Sequence, residues 1–130
     1  MYEYYAKVLE VHDGDTVTVD IDLGFNTHAT PIHIRMKGID APELKTPEGV
    51  VARDWLKGYL DAGNEVDDGW VIVQTTRVPM VKGDEPDKYG ERWLGVLYDV
   101  RSANTNSFEF SINNLMITTG HARPYDGGKR

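Results

Sequence analysis

The sequence predicts an α+β chain, a five-stranded β-barrel with one helix after the third strand and a short helix after the fifth. Three observations carry this. Apolar residues alternate with a period of two in several short segments separated by turns containing Gly, Asp and Pro. The period becomes helical once after the third strand and again near the end. The chain has 130 residues and no cysteine, which suits one domain whose core needs no disulfide.

The elements follow in order. Tyr5 to Val11 alternates loosely, and His12-Asp13-Gly14-Asp15 reads as a turn. Thr16 to Ile21 alternates strictly, as a strand with one buried face does. Gly24 to Thr30 reads as a polar loop. In the third strand Ile32, Ile34 and Met36 share one face, and His33, Arg35 and Lys37 share the other. Thr46 to Asp61 is an amphipathic helix in which Val51, Trp55 and Tyr59 recur four apart beside Leu56 and Leu60. Thr46 caps it, Pro47 suits its first turn, and Ala62-Gly63-Asn64 reads as its end. Trp70 to Val78 is a strand, Lys82 to Gly90 a charged loop, and Trp93 to Val100 the next strand. Phe108-Glu109-Phe110 reads as a short extension. Ile112 to Thr119 reads as a short helix ended by Gly120, and Pro124 to Arg130 as a mobile tail. This order matches a Greek-key barrel of the OB type spanning residues 1–130. The fold is known for binding nucleic acids and sugars, but it does not define function by itself.

Composition narrows the chemistry. A net charge of −7 argues against broad electrostatic coating of nucleic acid, yet it is compatible with acids gathered around a cation. Without cysteine, a metal would be held by carboxylates, carbonyls or histidines, and oxygen donors favour hard ions such as calcium or magnesium. His12, His28, His33 and His121 have no metal-ligand spacing and read as solvated or structural. The N-terminus lacks the pattern of a signal peptide, and no stretch approaches the roughly 20 apolar residues of a membrane helix. The expectation is a monomer that stays where it is made, in the cytoplasm or at a location that the sequence does not assign.

Three clusters carry candidate chemistry. They are Asp13-Gly14-Asp15-Thr16 at a strand start, Arg35 with Asp40-Ala41-Pro42-Glu43 just past the third strand, and Asp87-Lys88-Tyr89-Gly90-Glu91-Arg92 entering the fifth. Each alone has an ordinary reading as a turn or a surface ion pair. Their joint occurrence in one order points to an active site. With "DGDTV", "IRMKGIDAPE", "DKYGERWLG" and "NNLMITTGHARPY" in order over roughly Ala6 to Tyr125, the chain resembles the staphylococcal nuclease (thermonuclease-like) family. Its compact acidic build and its tail "ARPYDGGKR" look similar to versions carried by bacterial viruses.

The resemblance implies a calcium-dependent nuclease that hydrolyses DNA and RNA with little base specificity. Asp15, Asp40 and the backbone carbonyl of Ala41 would hold Ca2+. Glu43 would act as general base on the attacking water, or orient it. Arg35 and Arg92 would grip the phosphate, and Asp13 would form the turn or support the ligands. Lys88, Tyr89 and Tyr125 would touch a neighbouring phosphate or base. One departure is visible. The family places Arg directly after Tyr-Gly, where this chain has Glu91. Either Arg92 is the catalytic arginine and one residue is inserted, or Glu91 takes the position and the second arginine is lost. Arg92-Trp93-Leu94-Gly95 restores the downstream pattern and favours the first alignment.

These residue types suit the reaction. A divalent ion polarises a phosphoryl oxygen, and arginine forks match two phosphate oxygens while keeping their proton. Each well-aimed group contributes about 10²–10³-fold in rate. A binding module of the same family that has lost catalysis is the alternative. A metal-free OB-type binder of sugar or protein is a third reading.

Overall fold

In a computed structural model, the structure describes residues 2–67, 69–75, 92–102 and 104–125. Strand β1 (Tyr2–Asp13) runs into β2 (Thr16–Gly24) through the tight turn at Gly14-Asp15. β2 returns as β3 (Thr27–Met36), followed by the short β4 (Ile39–Asp40) and by helix α1 (Pro47–Asp67). β5 (Trp70–Thr75) and β6 (Arg92–Asp99) complete a closed barrel in the order β1-β2-β3-β6-β5, with β5 returning to pair with β1. All neighbours are antiparallel except β3 and β6, which run parallel. Helix α2 (Ile112–Thr118) follows, and β7 (Arg123–Pro124) then pairs with β4. The five-stranded barrel with two helices is the architecture that the alternating segments predict. No described helix is long and apolar enough to cross a membrane.

Alternation sorts the barrel's two faces. Val17, Val19 and Ile21 on β2 point inward, as do Ile34 and Met36 on β3, and all are buried. They meet Ala6, Val71, Val73 and Leu97 from the other strands. Burying each of these aliphatic side chains stabilises the fold by about 1.5–3 kcal/mol. At Gly95 on β6 a Cβ would sit 3.0 Å from the Ile34 Cγ2 of β3.

Several elements differ from the sequence reading, each for a local reason. The polar "loop" Gly24 to Thr30 is mostly strand, closed by the two-residue turn Phe25-Asn26 with φ of 55° and 59°. Both faces of the ribbon are largely exposed there, so no apolar alternation marks it. Helix α1 does not stop at Ala62-Gly63-Asn64 but continues to Asp67, and Gly69 with φ of 79° follows it. Its buried stripe is Ala52, Leu56 and Leu60, while Val51 is exposed and Trp55 and Tyr59 are half-buried. Small Ala52 gives a weak hydrophobic signal, and this displaced the predicted face by one position. Thr46 caps the helix, its hydroxyl accepting from the Gly49 amide at 3.1 Å. Phe108–Phe110 is a single 3₁₀ turn rather than a strand extension.

The start of the predicted tail is held in place. Arg123–Pro124 pairs with Ile39–Asp40, and the Tyr125 amide donates to the Gly38 carbonyl at 2.9 Å. Asn113, wholly buried, joins α2 to the barrel. Its amide donates to the carbonyls of Lys37 (2.8 Å) and Gly95 (3.1 Å), and its oxygen accepts from the Leu97 amide (3.0 Å). These contacts fix the end of the barrel where β3, β4, β6 and β7 meet.

Candidate functional site

The site begins with a residue on the outer side of the barrel that is nevertheless buried. Arg35 pairs with Thr16 on one side and Leu94 on the other, and its side chain is only 2% exposed. Its Nη1 donates to the Met36 carbonyl at 2.9 Å and lies 3.4 Å from Asp15 Oδ2. Its Nη2 is buried 3.7 Å from Asp40 Oδ1, too far for a hydrogen bond, and has no hydrogen-bond partner among the described residues. Tyr125 lies against the guanidinium, its ring centre 5.8 Å from Cζ.

Asp15 reaches this point from the β1–β2 turn. Its Oδ1 accepts from the Thr16 hydroxyl at 3.0 Å, and its Oδ2 accepts from the Ala41 amide at 2.9 Å. Asp13 shapes the turn, its Oδ1 accepting from the Asp15 amide at 3.1 Å. Gly14 lets the two segments close up, because a Cβ there would sit 2.7 Å from the Ala41 Cβ. Burial pushes the Asp15 carboxyl up to about 6. Hydrogen bonding to Asp13 and the Asp13 charge add to the rise, and Arg35 and the Ala41 amide oppose it.

Asp40 enters on β4, opposite Arg123 of β7. Its Oδ2 accepts from Arg123 Nε at 3.1 Å and Nη2 at 2.9 Å. Thus Asp15, Asp40 and Tyr125 all lie around Arg35, and Ala41 is tied to Asp15. Glu43 lies farther out. It lines a cleft of about 520 Å³ with Asp40, Ala41, Pro42, His121 and Arg123, but its side chain is 70% exposed and meets Lys45 Nζ at 3.0 Å. Arg92 pairs with His33, so it shares the outward face with Arg35, two pairs along the register. Lys88, Tyr89 and Glu91 lie outside the described residues.

Arg123 was missed by sequence reasoning, although it stands two residues before Tyr125. Its partner could be found only through the β4–β7 pairing, and a two-residue strand carries no periodic signal. A second cleft of about 530 Å³ flanks Leu94 on the same side of the barrel. Val96, Tyr98, Phe108 and Ile117 give it an apolar wall, and Gln74, Asn106 and Asn114 offer polar groups. The histidines have other partners. His12 and His33 both bond the Thr18 hydroxyl (2.6 and 2.8 Å), His28 meets Asp20 (3.1 Å), and His121 stacks on Trp55 (4.8 Å).

The donors fit a hard divalent cation. Asp15 and Asp40 are carboxylates facing one guanidinium from two strand ends, and Asp15 is too deeply buried to ionise easily without added positive charge. No three acidic or histidine side chains converge into a complete cage among the described residues. Carbonyl, water or substrate oxygens would therefore fill the remaining positions. The buried Nη2 of Arg35 has the opposite need, an anionic oxygen. No family model matches the sequence, and no curated protein matches it.

Proposed function

We propose that this protein is a divalent-cation-dependent nuclease, with calcium as the ion, that hydrolyses phosphodiester bonds of DNA and RNA. The observation that carries the reading is Arg35, a buried guanidinium set between two carboxylates with one nitrogen lacking an acceptor among the described residues. Burying a cation this way costs several kcal/mol. A phosphate oxygen would satisfy Nη2, and a cation on Asp15 and Asp40 would balance the carboxylates.

In this mechanism Asp15, Asp40 and the Ala41 carbonyl would hold the ion, which would supply Lewis-acid polarisation of a phosphoryl oxygen and lower the pKa of water. Arg35 binds a non-bridging oxygen and stabilises the charge that grows there in the transition state. Arg92, on the same face, adds a second guanidinium. Glu43 takes the proton of the attacking water or orients it from the neighbouring cleft, a step that requires it to leave Lys45. The apolar cleft beside Leu94 suits a base or sugar of the bound strand.

A second reading, a nucleic-acid or protein binding module of the same type without catalysis, draws support from Glu43, whose carboxylate is exposed and paired with Lys45. Titrating calcium against a fluorogenic single-stranded DNA separates the two. The nuclease reading requires calcium-dependent cleavage that chelation stops and that Asp15→Ala or Arg35→Ala lowers by at least about 10²-fold. Calcium-independent binding with no cleavage leaves the binding module.

A further inference from the structure

We propose that Arg123 and the divalent cation compete for Asp40, and that the displaced arginine becomes a third guanidinium on the substrate's phosphate. This rests on the nuclease reading and adds to it a residue that sets both cation and phosphate affinity.

The competition follows from what each Asp40 oxygen faces. A carboxylate oxygen has two lone pairs, and Asp40 Oδ2 accepts from both Arg123 Nε (3.1 Å) and Nη2 (2.9 Å). Its other oxygen faces the Arg35 guanidinium at 3.7 Å. A hard cation approaching Oδ1 would meet the buried Arg35 guanidinium, and one approaching Oδ2 would meet the Arg123 guanidinium, so either approach sets like charges against each other. Arg35 is buried and anchored on the Met36 carbonyl, so it cannot move away cheaply. Arg123 can, because its side chain is 66% exposed and hinges from a strand backbone already paired with Asp40. The Asp40 side chain is only 11% exposed, so opening the pair is cheap only when a cation takes the place of the guanidinium beside it.

The second half of the proposal follows from where the released group would be. Arg123 lines the cleft shared by Asp40, Ala41 and Glu43. A phosphate held by Arg35 and by a cation on Asp40 would present its outer oxygens at that rim. A guanidinium fork there would exchange one carboxylate for one phosphate, at equal charge and with the same two-point geometry. Glu43 is the competing anion in the cleft, and its pairing with Lys45 reduces its hold on Arg123.

The test is a pair of affinities with opposite expected signs. Calcium binding alone is measured by calorimetry on wild type and on Arg123→Gln. Binding of a nucleoside bisphosphate is then measured at saturating calcium. Arg123→Gln keeps the β4–β7 backbone pairing, and its unfolding midpoint is checked in parallel. We expect calcium to bind about 3- to 10-fold tighter and the bisphosphate about 10-fold weaker than in wild type. Arg123→Lys keeps the charge without the fork and should fall between the two on both measures. A merely structural role, holding β7 against β4, would weaken both ligands together and overturn the proposal. So would a calcium affinity unchanged in Arg123→Gln, with the nuclease reading left standing. If wild type binds neither ligand, the nuclease reading fails and the proposal fails with it.

Discussion

Replacing Asp15 with asparagine removes a charge that the fold holds at a cost. Its carboxyl is pushed from an ordinary 3.8 to about 6, chiefly by burial. That displacement corresponds to about 3 kcal/mol between the ionised and neutral forms. The sign follows from proton linkage. The folded protein keeps a proton on Asp15 at pH values where the unfolded chain has lost it, so stability falls as pH rises from about 4 to about 6 and stays reduced above that. Asparagine mimics the protonated form throughout. Its oxygen can still accept from the Ala41 amide, and its amide can donate toward Asp13, but the acceptor for the Thr16 hydroxyl is lost at about 1 kcal/mol. The expected net gain for Asp15→Asn is therefore about 2 kcal/mol at pH 8 in chelator, crossing zero at about pH 4.5 and becoming a loss of about 1 kcal/mol near pH 3. Urea unfolding followed by tryptophan fluorescence, at a series of pH values, reads this directly. The same variant should lose the stabilisation that calcium gives wild type. A variant no more stable than wild type at pH 8, or a gain independent of pH, would refute the reasoning.

Arg92→Ala should lower kcat by at least about 10²-fold with a smaller change in KM, because the second guanidinium acts mainly on transition-state charge. Glu91→Ala should be near neutral, and steady-state assays giving the reverse pattern would reverse the alignment of this segment. Asn113→Ala should destabilise the protein by at least about 2 kcal/mol in urea unfolding, since it strips partners from the Lys37 and Gly95 carbonyls and the Leu97 amide.

Much of the barrel was legible because strands with one buried face write their period into the sequence. Val17, Val19 and Ile21 alternate with polar residues, and so do Ile34 and Met36. The Phe25-Asn26 hairpin end was not legible, because neither face there has a core to alternate against. The buried stripe of α1 was misplaced because alanine at position 52 fills its contact without the size that marks a core residue. The site was legible as a set of residues whose motifs lie far apart in the chain. Asp15, Arg35 and Asp40 meet only through the β2–β3 register and the close approach that Gly14 permits. Arg123 was not legible, since an arginine near the end of a chain gives no sign of its partner until β4 and β7 pair.

The β2–β3 register also explains why fold and site cannot be tuned separately. Arg35 stands between Ile34 and Met36, both buried inward, so a one-residue slip would turn the guanidinium into the barrel and the core residues out. The register that closes the core therefore fixes Arg35 on the outer face opposite Thr16, beside Asp15. There the segment from Ile39 to Ala41 and the Tyr125 ring cover it. A buried ion pair is seldom the most stable filling for such a place, and an apolar side chain of similar size is often as good or better. What an apolar side chain cannot supply is a desolvated cation with a nitrogen lacking an acceptor among the described residues, held by a strand whose register the core fixes. Arg35 is costly in the same respect that makes it useful to a nuclease. Under the proposed function its charge would be fixed before a phosphate arrived, leaving little reorganisation for the moment when negative charge grows on the oxygens.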